Sequence, residues 1–350
     1  MNNIELISKL DADKALSKEE WMQLISAYTD EDRKYAADTA RAIAVSKFDK
    51  GIYFRGIIEF SNICKNDCYY CGIRRGNQEC ARYRLSKEEI MSCCVSGYQA
   101  GFRTFVLQSG EDPWYTDERM CDIIDSIHRS YPDCAITVSL GEKSKESYQK
   151  YFDAGASRYL LRHETANAKH YALMHPKEQT FENRMRCLKD LKEIGFQTGA
   201  GMMVGCPFQT PETLAEDMLF LCSFKPQMIG TGPFIPHHET PFKDCPAGSV
   251  ELTLLLLSLC RIALPDVLLP ATTALGTASK DGRLLGVLAG ANVIMPNLSP
   301  VQDRKKYMLY DNKAITGDDA AESLSVLQNH LSAIDYHLTV TRGDYKEGQK

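Results

Sequence analysis

Short apolar runs alternate with amphipathic stretches between about residues 52 and 296. The apolar runs are rich in β-branched and aromatic residues, which is typical of buried strands, whereas the stretches between them show helical periodicity. The predicted strands cover 52–61, 104–110, 135–141, 157–164, 197–205, 228–236, 268–275 and 291–296. The first predicted helix begins at the capping-box residue Ser86, and the later helices cover 116–130, 144–154, 183–195, 211–224, 249–263 and 282–289.

Eight strands, of which all but the last are followed by a helix, indicate parallel strands joined by crossover helices. This count favours an α/β fold of the (β/α)8 barrel type over a doubly wound sheet. No linker interrupts residues 50 to 300, so we expect the barrel to cover 51–302 as one domain. Residues 1–50 are expected to form a helical N-terminal extension, and 303–350 a polar helical tail that packs on the outside of the barrel.

Charge and apolar stretches limit the classes of partner. The net charge is -5 and the pI is near 6.0, which argues against nucleic-acid binding. The N-terminus carries no signal peptide, and the longest apolar stretch, 252–264, is too short to span a bilayer. We therefore expect a cytoplasmic protein with neither nucleic-acid nor membrane partners. The odd count of 13 cysteines in a chain of this size argues against a disulfide framework.

Unusual polar residues gather where the predicted strands end, which is where barrel enzymes build their active sites. The first strand is followed by a cysteine loop, the second by QSGED, the fourth by RHET and the sixth by PHHE. Core packing alone does not require this distribution. The sequence therefore predicts an enzyme.

The cysteine loop contains Cys64, Cys68 and Cys71 in the spacing C-x3-C-x2-C. Three close thiolates bind either zinc or an iron–sulfur cluster. Cys80 lies too irregularly beyond Cys71 to be assigned as a fourth ligand, and neither a second C-x2-C nor a histidine pair at ligand spacing follows. A metal with an open coordination position is typical of a catalytic centre.

A C-x3-C-x2-C loop after the first strand of a β/α barrel resembles the radical S-adenosylmethionine (SAM) superfamily. The resemblance implies a [4Fe–4S] cluster held by Cys64, Cys68 and Cys71, whose open iron binds the amino and carboxylate groups of SAM. Longer segments, among them RYLLRHETAN, TGAGMMVGCPFQT, LPATTALGT and GANVIMPN, resemble the HydE family of [FeFe]-hydrogenase maturases. Biotin synthase and methylornithine synthase share the general plan.

The resemblance also implies roles for other residues. Positions that match contacts to SAM are Tyr70, Ser109, Arg162, Glu164, Arg184, Pro233 and Ile235. Positions that match the lining of the family's substrate cavity are Arg55, Thr137, Ser139, Arg158, Thr272, Thr273 and Met295. Some members carry three further cysteines near the C-terminus for an accessory cluster, but this chain has no cysteine after Cys260, so no second C-terminal cluster is expected.

Three hypotheses follow. The resemblance implies a radical SAM enzyme that acts on an iron–cysteine complex carrying CO and cyanide, made by a partner maturase, and that receives electrons from a donor. A second hypothesis keeps the radical chemistry with a small amino acid or sulfur compound as substrate. A third is a non-enzymatic iron–sulfur or zinc scaffold, against which the open coordination position and the polar strand ends argue.

Overall fold

The computed structural model describes residues 1–314 and 320–348. Its strands are β1 Gly51–Phe54, β2 Gly56–Ser61, β3 Thr104–Ser109, β4 Ala135–Ser139, β5 Arg158–Leu160, β6 Gln197–Ala200, β7 Met203–Val204, β8 Met228–Ile229, β9 Gly232–Pro233, β10 Val293–Ile294 and β11 His337–Thr339. Its helices are α1 Asn3–Asp13, α2 Lys18–Ser26, α3 Asp30–Phe48, α4 Lys87–Gln99, α5 Asp117–Ser130, α6 Lys145–Asp153, α7 Ala168–Met174, α8 Phe181–Ile194, α9 Pro211–Phe224, α10 Val250–Ala263, α11 Thr273–Ala278, α12 Gly282–Leu288, α13 Val301–Arg304 and α14 Ala320–Ser332.

The strands close into a parallel barrel. Six of them are hydrogen-bonded in the order β2-β3-β4-β5-β6-β8. Single parallel bridges complete the circle, from Met228 to Leu268 and from Pro270 to Val293. β10 then pairs with β1, and Ile57 of β2 bridges to Asn297. The segment around 268–270 thus occupies the seventh strand position of the barrel, and the segment from Val293 to Asn297 occupies the eighth. This arrangement confirms the predicted (β/α)8 architecture.

Side-chain caps fix where the barrel helices begin. The hydroxyl of each N-cap residue accepts a backbone N–H of the first turn, which satisfies a donor that the helix itself leaves unpaired. The capping residues of this kind in the barrel are Ser86, Thr116, Ser144, Thr180, Thr210, Ser249 and Thr272. The predicted strand 268–275 was too long, because the cap at Thr272 starts α11 at Thr273.

Three N-terminal helices cover one flank of the barrel. Each begins with a capping box, at Asn2, Ser17 and Thr29. α2 packs on α9 and α3 packs on α10, and Trp21 is completely buried between them and the rest of the core. Among residues 1–314 and 320–348, no helix is long and apolar enough to cross a membrane.

The C-terminal segment reaches the amino ends of the barrel strands. β11 pairs in parallel with β1, in the register Gly51 with His337. Beyond it, the guanidinium of Arg158 donates to the Arg342 carbonyl and to Asp344, both at 2.6 Å. Part of the C-terminal segment therefore closes the floor of the barrel. The sequence had predicted only that this segment packs on the outside.

Candidate active site

The three cysteines lie together on the loop between β2 and α4, at the carboxyl edge of the barrel. All three are half-buried. The backbone N–H of Glu111 donates to Sγ of Cys64 at 3.3 Å, and Sγ of Cys68 donates to Gln179 Oε1 at 3.2 Å. Loops that follow two other strands thus hold two of the three sulfurs in place.

Burial and mutual repulsion both disfavour the thiolate form of these cysteines. Burial and the neighbouring Cys71 and Cys64 raise the pKa of Cys68. Burial, followed by the Cys64 thiol, raises the pKa of Cys71 to about 12. Three desolvated sulfurs that repel one another as thiolates need a positive centre, and a metal ion or iron–sulfur cluster supplies it by binding the deprotonated form. The donor set therefore fits a cluster with one iron left open to an exogenous ligand.

Arg82 holds the cysteine loop in its conformation. Its guanidinium donates to four backbone carbonyls in and beside the loop, at 2.6 to 2.9 Å: those of Asn62, Ile73, Arg74 and Asn77. Backbone carbonyls of an irregular loop need such partners when they are removed from water. We expect the positions of the three sulfurs to depend on this side chain as well as on Glu111 and Gln179.

Gly110, in the QSGED turn after β3, allows the cysteine loop to approach. A Cβ atom at this position would lie 2.3 Å from the Ile63 carbonyl oxygen and 2.9 Å from Cβ of Cys64. Real Cβ atoms do not come so near to backbone atoms, so only glycine fits. The neighbouring Ser109 ends β3, and its hydroxyl donates to the Gly110 carbonyl at 2.7 Å.

Tyr70 is held by a histidine that the sequence did not single out. Nδ1 of His175 lies 2.9 Å from the Tyr171 carbonyl and must donate to it, which leaves Nε2 as an acceptor for the Tyr70 hydroxyl at 3.1 Å. Burial, and then the Arg184 charge, lower the pKa of His175 to about 3. The ring is therefore neutral at physiological pH, in agreement with its role as an acceptor.

The charged residues predicted to bind SAM converge on the ends of β4 and β5. Nε of Arg162 donates to Oε1 of Glu164 at 3.1 Å, and Arg184 donates to the Arg162 carbonyl at 2.6 Å. Arg184 is also paired with Glu142 at 2.6 Å. In the part of the chain that the structure describes, the buried Oε2 of Glu164 has no hydrogen-bond partner.

This arrangement fits the methionyl end of SAM. A carboxylate oxygen without a partner can accept from an ammonium group, and a guanidinium can hold a carboxylate by charge-assisted hydrogen bonds. An alternative in which Arg162 only neutralises Glu164 leaves Oε2 unexplained, because a buried acceptor is normally satisfied.

Pro233 and Ile235 lie on the opposite side of the mouth from β3. Pro233 is buried in β9, which pairs with β7 at Val204, and Ile235 is half-buried just beyond it. An apolar cluster adjoins them. Its members are Tyr69, Tyr70, Met174, Met203, Cys206, Phe234, Phe242 and Cys245.

The predicted substrate residues divide between two levels of the barrel. Thr272 and Thr273 form the start of α11 near the carboxyl edge, and Ser139 is the last residue of β4. Thr137 lies deeper, beside Arg158 in the register of β4 and β5. Within residues 1–314 and 320–348, the buried Thr137 hydroxyl has no partner.

Arg55, Arg158 and Met295 lie toward the floor. Arg55 donates to the Gly343 carbonyl at 3.4 Å, and Arg158 to Asp344 at 2.6 Å. Met295 packs against the apolar cluster of Met228, Leu268 and Val293. The two arginines are thus partly engaged by the C-terminal segment, and their contact with a substrate stays a prediction.

His237 and His238 come near Asp311, but they do not form a convincing metal site. The Nδ1 atom of His237 accepts the N–H of Glu239 at 3.1 Å, so its Nε2, the atom that faces Asp311, carries the proton. His238 Nδ1 lies 2.6 Å from the Asp311 carboxylate, which is a hydrogen bond. His238 is exposed as expected of a loop, whereas His237 is buried.

Comparisons with known proteins identify the family of the chain. Residues 58–221 match the model of the radical SAM superfamily. The chain is 48% identical over 262 residues to the [FeFe] hydrogenase maturase subunit HydE of Thermotoga maritima, which covers 75% of this chain and 74% of that protein. It is 28% identical to 3-methylornithine synthase of Methanosarcina acetivorans over 83% of each chain.

The fold is also similar to the crystal structure of a methylornithine synthase, with a TM-score of 0.83, 24% identity, and coverage of 95% of this chain and 97% of that one. At this identity the likeness concerns the fold alone. The match to HydE has the higher identity and extends over three quarters of the chain. The region that matches the radical SAM model, residues 58–221, contains the cysteine loop and the ends of β3 to β6. The chain is therefore a SAM-cleaving enzyme of the radical SAM superfamily, and it belongs to the HydE family of [FeFe]-hydrogenase maturases.

Proposed function

We propose that this enzyme cleaves SAM reductively to methionine and a 5′-deoxyadenosyl radical, and that the radical processes an iron–cysteine complex carrying CO and cyanide. The reaction would serve the assembly of the diiron subsite of the [FeFe]-hydrogenase H-cluster. The similarity to HydE supports this reaction. The observation that carries the proposal is the three-thiol loop beside a buried carboxylate oxygen, Oε2 of Glu164, which has no partner among the described residues.

When bound, a [4Fe–4S] cluster supplies the single electron that breaks a carbon–sulfur bond of the SAM sulfonium. The thiolates of Cys64, Cys68 and Cys71 would hold three of its irons, and they leave the fourth for the cofactor. Gln179 and the Glu111 N–H orient two of these sulfurs from neighbouring loops. Such outer contacts fix ligand geometry in metal sites.

Residues around the ends of β3, β4 and β5 would hold the methionyl group. Glu164 and Ser109 are suited to its ammonium, and Arg162 to its carboxylate. Arg184 fixes the Arg162 backbone through the hydrogen bond to its carbonyl and is itself fixed by Glu142. These contacts among the protein's own side chains fix the groups that would meet the methionyl end.

Aromatic and apolar side chains would hold the adenosyl group and exclude water. Tyr70, Pro233 and Ile235 are the proposed adenine contacts, and the Tyr70 ring is fixed by His175. The apolar cluster around Phe234 and Phe242 covers this side of the mouth. A radical that abstracts hydrogen from any neighbour requires such exclusion of solvent.

The substrate would bind below SAM in the barrel lumen. Arg55, Thr137, Ser139, Arg158, Thr272, Thr273 and Met295 are its proposed contacts. The Thr137 hydroxyl and Nε of Arg55 are buried without a hydrogen-bond partner in the described ranges, which supports a polar ligand at this level.

We further propose that the enzyme acts in the cytoplasm with partner maturases that make its substrate, and that an external donor provides the electron. A second cluster near the C-terminus is not proposed, because the last cysteine of the chain is Cys260. A small organic substrate is the alternative for the same site, and product analysis separates the two.

The first test is low-temperature EPR of the anaerobically reconstituted, dithionite-reduced protein. A [4Fe–4S]+ signal whose g-values shift when SAM is added, together with 5′-deoxyadenosine and methionine as products, would support cleavage of SAM at the open iron. Cys68→Ala should abolish the signal, whereas the matched control Cys80→Ala should retain it. A cluster indifferent to SAM, or zinc in place of iron, would refute the proposal.

The substrate is tested separately by maturation of apo-hydrogenase in vitro with purified partner maturases. Omission of this enzyme should leave the hydrogenase inactive, and adding it back should restore hydrogen evolution. If SAM is cleaved normally but maturation does not depend on the enzyme, the radical chemistry stands and the proposed substrate fails.

A further inference from the structure

Glu164 is held in an unfavourable backbone conformation. Its φ angle is +64°, in the left-handed region that residues with a side chain seldom adopt. Because the residue is a glutamate and not a glycine, its backbone is strained in this conformation. Its carboxylate is buried beside Arg162. A strained residue persists only where its surroundings determine the conformation, so the contacts on either side of Glu164 decide where its carboxylate points.

The residue before Glu164 is fixed by a buried acid. Nδ1 of His163 accepts the Gly201 N–H at 3.2 Å, so the proton of the ring is on Nε2. Nε2 faces Oδ1 of Asp217 at 3.3 Å without the alignment of a hydrogen bond, and the side chains of both His163 and Asp217 are completely buried. Phe220, one turn along α9 from Asp217, packs against the imidazole ring.

The chain after Glu164 is fixed by the same carboxylate. The backbone N–H of Ala166 donates to Oδ1 of Asp217 at 2.5 Å. In between, the N–H of Glu164 donates to the Gly201 carbonyl at 3.1 Å, and Glu164 forms a parallel bridge with Met202. One oxygen of Asp217 therefore contacts both sides of the strained residue.

These contacts leave little freedom to the turn. His163 is tied to α9 through Asp217 and to the end of β6 through Gly201, and Ala166 is tied to α9 as well. The helix α9 is a rigid element whose start is fixed by a capping box at Thr210. Sites supported by such elements hold their ligand groups more closely than sites on free loops.

We propose that Asp217 and His163 are positioning residues that hold Glu164 in its left-handed conformation, so that its carboxylate faces the ammonium group of SAM. Neither residue contacts the proposed ligand, and both act through the turn. The inference rests on the proposed function insofar as Glu164 binds SAM.

The test compares three variants with the wild type, each loaded with its cluster. Asp217→Asn retains an oxygen for the Ala166 N–H but loses the charge that faces His163, whereas Asp217→Ala loses both contacts. Asp190→Asn is the matched control, because Asp190 is also a largely buried aspartate on a barrel helix and pairs only with Arg186 in the described contacts. The probe is SAM itself.

The dissociation constant for SAM is measured by equilibrium dialysis and expressed per loaded cluster, so that loss of folded protein does not enter. We expect Asp217→Ala to weaken SAM binding by about tenfold to a hundredfold, in the range of other outer contacts, with a smaller effect for Asp217→Asn. The EPR spectrum of the reduced cluster without SAM should be unchanged, because no hydrogen bond or ion pair of the described residues joins Asp217 to the cysteine loop. KM for SAM should rise more than kcat falls.

A purely structural role for Asp217 predicts another pattern. The thermal midpoint and the cluster content would fall, but SAM affinity per loaded cluster would equal that of Asp190→Asn and the wild type, and the inference would be overturned. If the wild type itself fails to bind SAM, the proposed function fails instead. If the wild type binds and cleaves SAM while Asp217→Ala binds it equally well, only the positioning role is lost.

Discussion

Because His175 is buried, the stability of the protein should decrease as the pH falls below about 6.5, the ordinary pKa of histidine. Its pKa is about 3 in the folded protein, against an ordinary value of 6.5. The main cause is burial, and the Arg184 charge adds to it. The folded state therefore keeps the ring neutral where the unfolded chain takes up a proton.

The sign and the size of the effect follow from linkage. Because the folded pKa is depressed, the stability contribution is present above the unfolded pKa and is lost as pH falls from about 6.5 toward 3. Between pH 7 and pH 5 the unfolded chain gains about 0.7 of a proton at this site, and integration over this range lowers the free energy of unfolding by about 2 kcal/mol. Between pH 7 and pH 8.5 the contribution of His175 should be nearly constant.

The informative variant is His175→Gln, whose amide oxygen can accept from the Tyr70 hydroxyl but does not titrate. Urea unfolding of the cluster-loaded protein, followed anaerobically by tryptophan fluorescence at pH 5, 6, 7 and 8, measures both proteins. Other histidines with lowered pKa, such as His170 and His237, are common to both and cancel in the difference. We expect the wild type to lose about 2 kcal/mol more than the variant between pH 7 and pH 5. Equal pH dependence in the two proteins would refute the reasoning.

Three further predictions concern the barrel floor and the cysteine loop. Asp344→Asn should lower the free energy of unfolding by about 2 kcal/mol at pH 7, because it removes the charged partner of the fully buried Arg158. Urea unfolding measures this change, and a loss of less than about 0.5 kcal/mol, the usual range for surface substitutions, would contradict the prediction. Gly110→Ala should reduce the iron bound per chain severely, whereas Gly230→Ala, where an added Cβ meets nothing closer than 3.6 Å, should retain it. Arg82→Gln removes the clamp on four carbonyls and should speed the loss of iron to a chelator, measured by the decay of visible absorption; wild-type kinetics would show that the loop keeps its shape without the clamp.

The order of strands and helices could be read from the sequence because each barrel unit is a local pattern. Ser86 with Glu89, for example, marks a helix start through contacts within three residues, and the structure contains this capping box. The seventh strand was misjudged because Thr272 and Thr273 favour strands by composition. In the structure the Thr272 hydroxyl accepts the backbone N–H of Leu275, and this N-cap begins a helix at Thr273 instead.

The residues that the sequence did not reveal act over long separations. Gln179 reaches Cys68 across 111 residues, and Asp217 reaches Ala166 across 51. No local pattern marks such contacts, since a glutamine after a helix or an aspartate in one is ordinary. The ligands and strand ends that carry the family's motifs were visible, whereas the side chains that orient them became visible only in the folded structure.

The closure of the barrel floor by the C-terminal segment has a consequence for biosynthesis. Arg55 and its partner Gly343 are 288 residues apart, so at about 5–20 residues per second a ribosome needs roughly 15–60 seconds between them. During that interval the first strand lacks its β11 neighbour and Arg158 lacks its counter-charge. The floor of the nascent barrel therefore stays open until residues 337–344 have been synthesised. A carboxy-terminal purification tag that disturbs residues 337–345 would reproduce that immature state in the finished protein.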